Sequence, residues 1–221
     1  MMQQTVNISY NDLAGILRAR PFDALPGMEI QLEMAPTNRR NEIRARGSGQ
    51  SPVKSSVLLL LYPGERGEPL MVFIQRPRYD GAHSGQIAFP GGRYESTDKD
   101  LEQTALREAQ EEVGVDPDRV EVIGGLTPLY IPPSNYIVSP FVGLTDRRPA
   151  FVPDKKEVDR LLELPLSAFR ERNNKQMRAI TLSTGIRLQT PCFVIHGEMI
   201  WGATAMIMAE FLALTEGITG S

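Results

Sequence analysis

Apolar positions fall into three kinds of run along this chain, and each kind predicts a different element. The run Ser56–Tyr62 is continuous and short, which predicts a central strand buried on both faces. Leu70–Gln75 follows across the Pro63-Gly64 to Gly67 turn and reads as its hairpin partner. Gln86–Phe89 predicts a short strand delivering the chain to Gly91-Gly92. The period then changes. Leu101, Ala105, Leu106, Ala109 and Val113 recur at helical spacing, and Gly114 is placed to end that helix as a left-handed residue. Val120–Leu126 and Tyr136–Leu144 predict strands joined by a loop carrying Pro132-Pro133-Ser134-Asn135. Glu157–Leu164 predicts another strand, with Pro165 and a short helix to Arg170 after it. Strands near 177–182, 186–189 and 192–196 precede the apolar stretch Met199–Leu214, which reads as a helix in the core with Met199, Met206 and Met208 as packing material.

The N-terminal portion has a different texture. Tyr10–Arg18 is patterned as an amphipathic helix with Ser9 or Asn11 able to cap it. Residues 35–52, rich in Arg, Asn, Ser and Gly, read as an exposed, mobile connection. The expected division is therefore an N-terminal helix and extension over 1–52 and a single larger domain over 53–217, within which no linker is visible. Mixed strands with helices on each side predict an α/β protein, a three-layer α/β/α sandwich.

Composition narrows the partners. The chain has 221 residues, 41% of them apolar, enough to bury a substantial core. A net charge of −3 supplies no basic field, which argues against sequence-independent nucleic-acid binding. Met199–Leu214 is shorter than the ~20 residues a bilayer span needs, and Glu210 interrupts it, so no membrane insertion is expected. The single cysteine, Cys192, lies in a strand-like flank, and no basic-then-apolar leader opens the chain; both suit a reducing cytoplasm. Nothing in the composition decides oligomeric state, and a homodimer stays open.

Candidate chemistry concentrates in Glu108, Glu111 and Glu112, at i, i+3 and i+4 on one side of the predicted helix. Like charges at that spacing destabilise an isolated helix by roughly 0.2–0.5 kcal/mol per pair. A divalent cation reverses the sign of that interaction; a solvated acidic face is the plainer alternative. Asp98 and Asp100 sit near the helix start, where the dipole favours negative charge, and Arg107 can reach a nearby carboxylate and hold it.

These residues carry a resemblance. Arg107-Glu108-Ala109-Gln110-Glu111-Glu112-Val113-Gly114-Val115 matches the second half of the Nudix hydrolase signature position for position. The first half differs: counting from Gly92, the acidic residue is Asp98 rather than Glu, and eight residues instead of seven separate it from Arg107. That spacing is similar to the coenzyme A diphosphatase branch. So is the upstream pattern Ile74-Gln75-Arg76, then Gly85, then Phe89-Pro90-Gly91-Gly92, although Pro77 and Gly81 stand where a small residue and a second arginine are usual. Ile200-Trp201-Gly202-Ala203-Thr204-Ala205 resembles the opening of the last helix in that branch.

The resemblance implies a Nudix-type α/β/α sandwich with a mixed sheet. It implies Mg²⁺ or Mn²⁺ held by Glu108 and Glu112, by Glu111 directly or at one remove, and by the Gly92 carbonyl. Catalytic roles fall to Glu108, Glu111 and Arg107, and substrate contacts to Arg76, Phe89 and Gly91. Glu157, in a cluster with Asp154, Lys155, Lys156 and Asp159, is either a surface charge or an additional base. Arg76 either meets a phosphate or pairs with a box carboxylate, and His83, Tyr130 and Tyr136 are weaker pocket candidates beside ordinary structural readings. The implied reaction is hydrolysis of a diphosphate linkage, with coenzyme A or acyl-CoA giving adenosine 3′,5′-bisphosphate and (acyl-)4′-phosphopantetheine. Alternatives are ADP-ribose, NADH or a nucleoside triphosphate as substrate, or a non-catalytic nucleotide-binding regulatory domain of the same shape.

Overall fold

The leucine run becomes the axis of the fold because alternate side chains of a strand leave on opposite faces. In β1 (Val53–Pro63), Leu58, Leu60 and Tyr62 enter one apolar cluster while Leu59 and Leu61 enter another. Each fully buried leucine contributes about 1.5–3 kcal/mol, so one strand cements two layers. β2 (Pro69–Gln75) repeats the arrangement, with Val72 and Ile74 on one side and Met71 and Phe73 on the other. The computed structural model describes residues 8–20, 22, 24–45, 51–78, 83–181, 185 and 187–216.

Three N-terminal helices precede β1: α1 (Tyr10–Ala19), α2 (Met28–Glu33) and α3 (Arg40–Ala45). Ser9 caps α1, its hydroxyl accepting from the Asp12 N–H at 3.2 Å. β3 (Ile87–Ala88) and β4 (Gly91–Arg93) lead to α4 (Leu101–Val113). After it come β5 (Glu121–Gly125), β6 (Leu129–Ile131), β7 (Tyr136–Leu144), β8 (Arg160–Pro165) and α5 (Leu166–Arg170). The chain continues through β9 (Lys175–Thr181), β10 (Arg187–Ile195) and β11 (Glu198–Trp201) into α6 (Gly202–Leu214).

Among the described residues, β1 to β8 form one mixed sheet. β1 runs parallel to β7 along nearly its whole length, from Val53↔Tyr136 to Leu61↔Leu144. Its other edge is shared antiparallel, by β4 at Ser55–Val57 and by β2 at Leu61–Pro63. β9, β10 and β11 make a second, antiparallel sheet. Ala105, Ala109 and Val113 of α4 pack on one face of the large sheet, in the cluster with Leu58 and Leu60. Residues of α1, α5 and α6 pack in the opposite layer with Leu59, Leu61 and Phe73, and Leu32 of α2 joins them. The expected α/β/α sandwich is the observed architecture.

Five expectations are corrected. The stretch 35–52 is in part helical: a 3-10 turn at Thr37–Arg39 runs into α3, and Ala35 and Ile43 are buried. Met199–Leu214 is two elements, because Glu198–Trp201 folds back on Cys192–Ile195 through the His196-Gly197 turn before α6 begins. β10 runs unbroken through Pro191, where two strands are expected from the sequence, with Pro191 opposite Met177. The strand expected from Glu157 begins at Arg160, leaving Glu157 in a turn, and the loop expected before Tyr136 contains β6. Gly81 lies outside the described residues, as do parts of the strands expected at 177–182 and 186–189. No helix among the described residues is long and apolar enough to cross a membrane.

Candidate active site

α4 is built to present side chains from a fixed register. Asp100 caps its start, accepting from the Gln103 N–H at 2.8 Å, which satisfies one of the donors every helix N-terminus leaves free. Gly114 ends it at φ 73°, a left-handed conformation that glycine adopts without a Cβ penalty. With the alanine and valine stripe buried, the glutamates are carried on the helix sides facing β4 and solvent.

Two of them are desolvated. Glu112 is 2% exposed. Its Oε2 accepts from the Gly91 N–H at 2.7 Å, and its Oε1 lies 3.9 Å from the Arg76 guanidinium. Burial pushes its carboxyl up to about 7 in spite of those two contacts, and repulsion from Glu108 and Glu157 acts in the same direction. Glu108 is likewise raised by burial; Arg107 opposes the shift, and Glu111 and Glu157 add to it. Glu111 is the exposed member, 56% by its side chain, and it pairs at 3.0 Å with the same Arg107 nitrogen that reaches Glu108. Helical spacing brings the three glutamates to one side, and one Arg107 nitrogen bridges two of them.

Arg107 is the hub. Its Nε donates to Asp98 Oδ1 at 2.8 Å and its Nη2 to Oδ2 at 3.1 Å. It also reaches the Arg93 carbonyl at 2.9 Å and Glu108 Oε1 at 3.0 Å. Asp98 is buried, and it accepts further from the Thr104 hydroxyl at 2.9 Å and the Glu95 N–H at 3.0 Å. The Arg107 guanidinium holds the Asp98 carboxyl well below the usual carboxylate range. The residue at which the signature departs from its usual form is therefore the anchor of the arginine that steadies Glu108.

The loop after β7 brings up the remaining acid. Val152 N–H donates to the Val113 carbonyl and Asp154 N–H to the Glu112 carbonyl, each at 2.9 Å, so this loop is fastened to the end of α4. Glu157 follows in the next turn, exposed, and its charge bears on both Glu108 and Glu112.

Arg76, Phe89, Gly91 and Gly92 line one cleft of about 430 Å³. Arg76 Nη2 donates to the Gly91 carbonyl at 3.0 Å, joining the end of β2 to the glycine turn. Phe89 forms part of the lining with its ring against Phe73, centroids 4.8 Å apart. His83 bridges the rim, one ring nitrogen 3.1 Å from Gln86 Oε1 and the other 3.2 Å from the Ser134 hydroxyl, and burial lowers its pKa. Tyr136 lines the cleft; the buried Tyr130 instead donates its hydroxyl to Asn135 at 3.0 Å. The sequence pattern does not reveal the wall that α6 supplies through Ala203, Thr204 and Ile207. The available signal is Thr204, one of two polar residues in an otherwise apolar helix.

A sequence profile described as the NUDIX domain matches residues 52–181, more than half the chain. This chain belongs to the Nudix family. It is 31% identical over 175 residues to Nudix hydrolase 15, mitochondrial, of Arabidopsis thaliana, covering 74% of this chain and 59% of that protein. It is 32% identical over 165 residues to the mitochondrial coenzyme A diphosphatase NUDT8 of Homo sapiens, covering 74% of this chain and 70% of that one. It thus spans less than two thirds of the plant protein's length. A solved structure of a MutT/nudix family protein from Enterococcus faecalis superposes with TM-score 0.47 at 12% identity, covering 86% of this chain and 73% of that one.

The donor set of this Nudix box fits a hard divalent cation. Among the described residues no three of Asp, Glu, His and Cys converge into a ready-made cage. Mg²⁺ does not require one: it takes one or two carboxylates and keeps water or substrate oxygens for the rest. Glu108 and Glu112 are two desolvated, mutually repelling carboxylates at the glycine turn, which is the arrangement a cation relieves. The turn itself is sterically tight. A Cβ on Gly92 would fall on the Glu108 carboxyl, and one on Gly91 would strike the Ser56 carbonyl and Val57 backbone. Gly92→Ala is therefore expected to fold and to weaken Mn²⁺ affinity by roughly 10–100-fold through displacement of Glu108. Gly91→Ala is expected to lose stability, since β1–β4 pairing has to give way. Titration calorimetry with Mn²⁺ and thermal melts separate the two; equal behaviour of both variants contradicts this account of the turn.

Proposed function

We propose that this Nudix protein is a metal-dependent hydrolase of a diphosphate linkage, with coenzyme A or acyl-CoA as substrate. The observation that carries the reaction class is the desolvated pair Glu108 and Glu112, raised in pKa by burial and set beside a cleft containing Arg76. A carboxylate pair kept out of water without full hydrogen bonding is costly, and it has a use where a cation completes it. When bound there, Mg²⁺ or Mn²⁺ supplies charge neutralisation for the diphosphate and a more acidic water. Glu108 and Glu112 would hold it, with the Gly92 carbonyl as a further oxygen.

The chain's own groups supply the rest. Arg76, already paired to the Gly91 carbonyl, orients an anionic oxygen at the cleft end nearest Glu112. Arg107 keeps Glu108 in one rotamer. Of the three carboxylates that could take a proton from water, Glu108 and Glu111 are both engaged by Arg107. Glu157 stands exposed on a loop tied to α4, where it can pass a proton to solvent, so we assign it the base.

Support for the coenzyme A substrate comes from the Phe89-Pro90-Gly91-Gly92 approach to the box and from the activity for which the human relative is named. The test is a panel of coenzyme A, acyl-CoA, NADH, ADP-ribose and nucleoside triphosphates, each with Mg²⁺ or Mn²⁺, read by product identity. Adenosine 3′,5′-bisphosphate and 4′-phosphopantetheine are the expected products. A kcat/KM about tenfold or more higher for any compound outside the coenzyme A set overturns the substrate assignment. No turnover of any member overturns the reaction class.

A further inference from the structure

Glu210 has no exposed surface, and no lysine or arginine pairs with it among the described residues. Its charge is met by hydrogen-bond donors from two other segments. Oε1 accepts from the Thr127 hydroxyl at 2.6 Å and the Gly27 N–H at 3.1 Å. Oε2 accepts from Gln31 Nε2 at 2.7 Å, and the Thr127 N–H lies 3.3 and 3.2 Å from the two oxygens. Gln31, itself fully buried, also donates to the Thr127 carbonyl at 2.7 Å. Three segments distant in sequence therefore meet on one carboxylate: α6, the start of α2, and the loop that follows β5.

One of those segments is a wall of the cleft, and a second leads directly into another wall. α6 contributes Ala203, Thr204 and Ile207, and Thr204 is anchored by its hydroxyl to the Ile87 carbonyl at 2.9 Å. The loop after β5 runs at once into β6, which ends at Ile131 and turns through Ser134, both in the cleft lining. Apolar packing around Met208, Phe211 and Leu214 holds α6 to the core, but the hydrophobic effect is non-directional. Hydrogen bonds to a buried carboxylate add direction. A buried charge is also a poor way to gain stability, since an apolar replacement of the same shape is often neutral or better. Its place at the junction of two cleft walls suggests a geometric use.

We propose that Glu210 is a positioning residue: with Gln31 and Thr127 it sets the spacing between the α6 wall and the β6 wall, and through that spacing the affinity for substrate. α2 is then part of the binding apparatus, not an appendage to it. The proposal rests on the hydrolase reading above. It predicts an effect on KM before kcat, because the apolar stripe of α4 packs on the sheet face opposite α6 and, among the described residues, no hydrogen bond joins the Glu210 cluster to Glu108 or Glu112.

The test compares Thr127→Val, Thr127→Ser and Gln31→Leu with Leu13→Ala, a cavity variant in the same apolar layer that takes no part in the hydrogen bonds to Glu210. Thr127→Val and Gln31→Leu are expected to raise KM roughly tenfold with kcat within about twofold. Thr127→Ser, which keeps the hydroxyl, restores the wild-type KM, and Leu13→Ala lowers the melting temperature without moving KM. A Thr127→Val or Gln31→Leu protein that melts earlier yet keeps the wild-type KM overturns the proposal. If the wild type turns over no member of the panel, the hydrolase reading fails separately. Hydrogen exchange over residues 129–136 then decides the pinning: faster exchange in Thr127→Val supports it, and unchanged protection overturns it.

Discussion

Glu112→Gln is expected to cut metal-dependent turnover by about three orders of magnitude, the equivalent of the several kcal/mol a catalytic cation supplies, while the protein stays folded. Glutamine keeps an oxygen for the Gly91 N–H but loses the charge. Its effect on stability has a definite sign. The Glu112 carboxyl sits at about 7 in the folded protein, above the ~4.3 of an unfolded glutamate. The folded state therefore binds this proton more tightly. In metal-free protein the stabilising contribution is fully present below about pH 4 and is lost as pH rises through about 7, roughly 4 kcal/mol in all. Glutamine abolishes that slope. Metal-free denaturation midpoints should thus fall between pH 5 and pH 8 more steeply for the wild type than for Glu112→Gln. Matching slopes, or turnover within about tenfold of the wild type, would remove Glu112 from the role assigned to it.

Arg107→Ala is expected to destabilise the protein by about 3–5 kcal/mol, the cost of stripping one partner from a buried ion pair. Asp98, 2% exposed by its side chain, would keep only the Thr104 hydroxyl and the Glu95 N–H. Glu108 would lose its 3.0 Å contact at the same time, and a ligand without its orienting partner typically costs 10–100-fold in metal affinity or rate, so turnover should fall by roughly that factor. The pair can be isolated by a double-mutant cycle. Asp98→Asn combined with Arg107→Ala should cost less than the sum of the two single changes, because the stranded charge is gone. Urea denaturation of the four proteins measures this, and strict additivity would show that the fork between Asp98 and Arg107 carries no coupling.

How much of the fold and the site is legible in the sequence depends on what each signal encodes. The stripe from Leu101 to Val113 with Gly114 behind it places α4 correctly, because helical period and a left-handed cap are local properties. The Glu111 side chain is not legible. Spacing along a helix determines where a Cβ points, and the Arg107 ion pair decides where the carboxylate goes. Met199–Leu214 reads as one apolar run, and composition cannot show that His196-Gly197 folds its first residues back onto Cys192–Ile195. Pro191 misleads in the opposite direction: a residue without an N–H is disfavoured inside a strand, yet the sheet carries it. In the N-terminal portion, Arg39, Arg40, Asn41 and Glu42 mask a buried Ile43, and nothing local announces that Gln31 meets Glu210.

The parallel pairing of Val53–Leu61 with Tyr136–Leu144 sets when the site can exist. Those strands are separated by the whole glycine turn and glutamate helix, so the axis of the sheet closes only after a long loop entropy has been overcome. During synthesis, a ribosome that has released α4 but not yet β7 holds a chain whose acidic helix has only part of its platform. On the hydrolase reading, metal affinity is thus a late property of this polypeptide, acquired once β7 pairs with β1, and nascent chains ending before Tyr136 should emerge with the box complete in sequence and inert in chemistry.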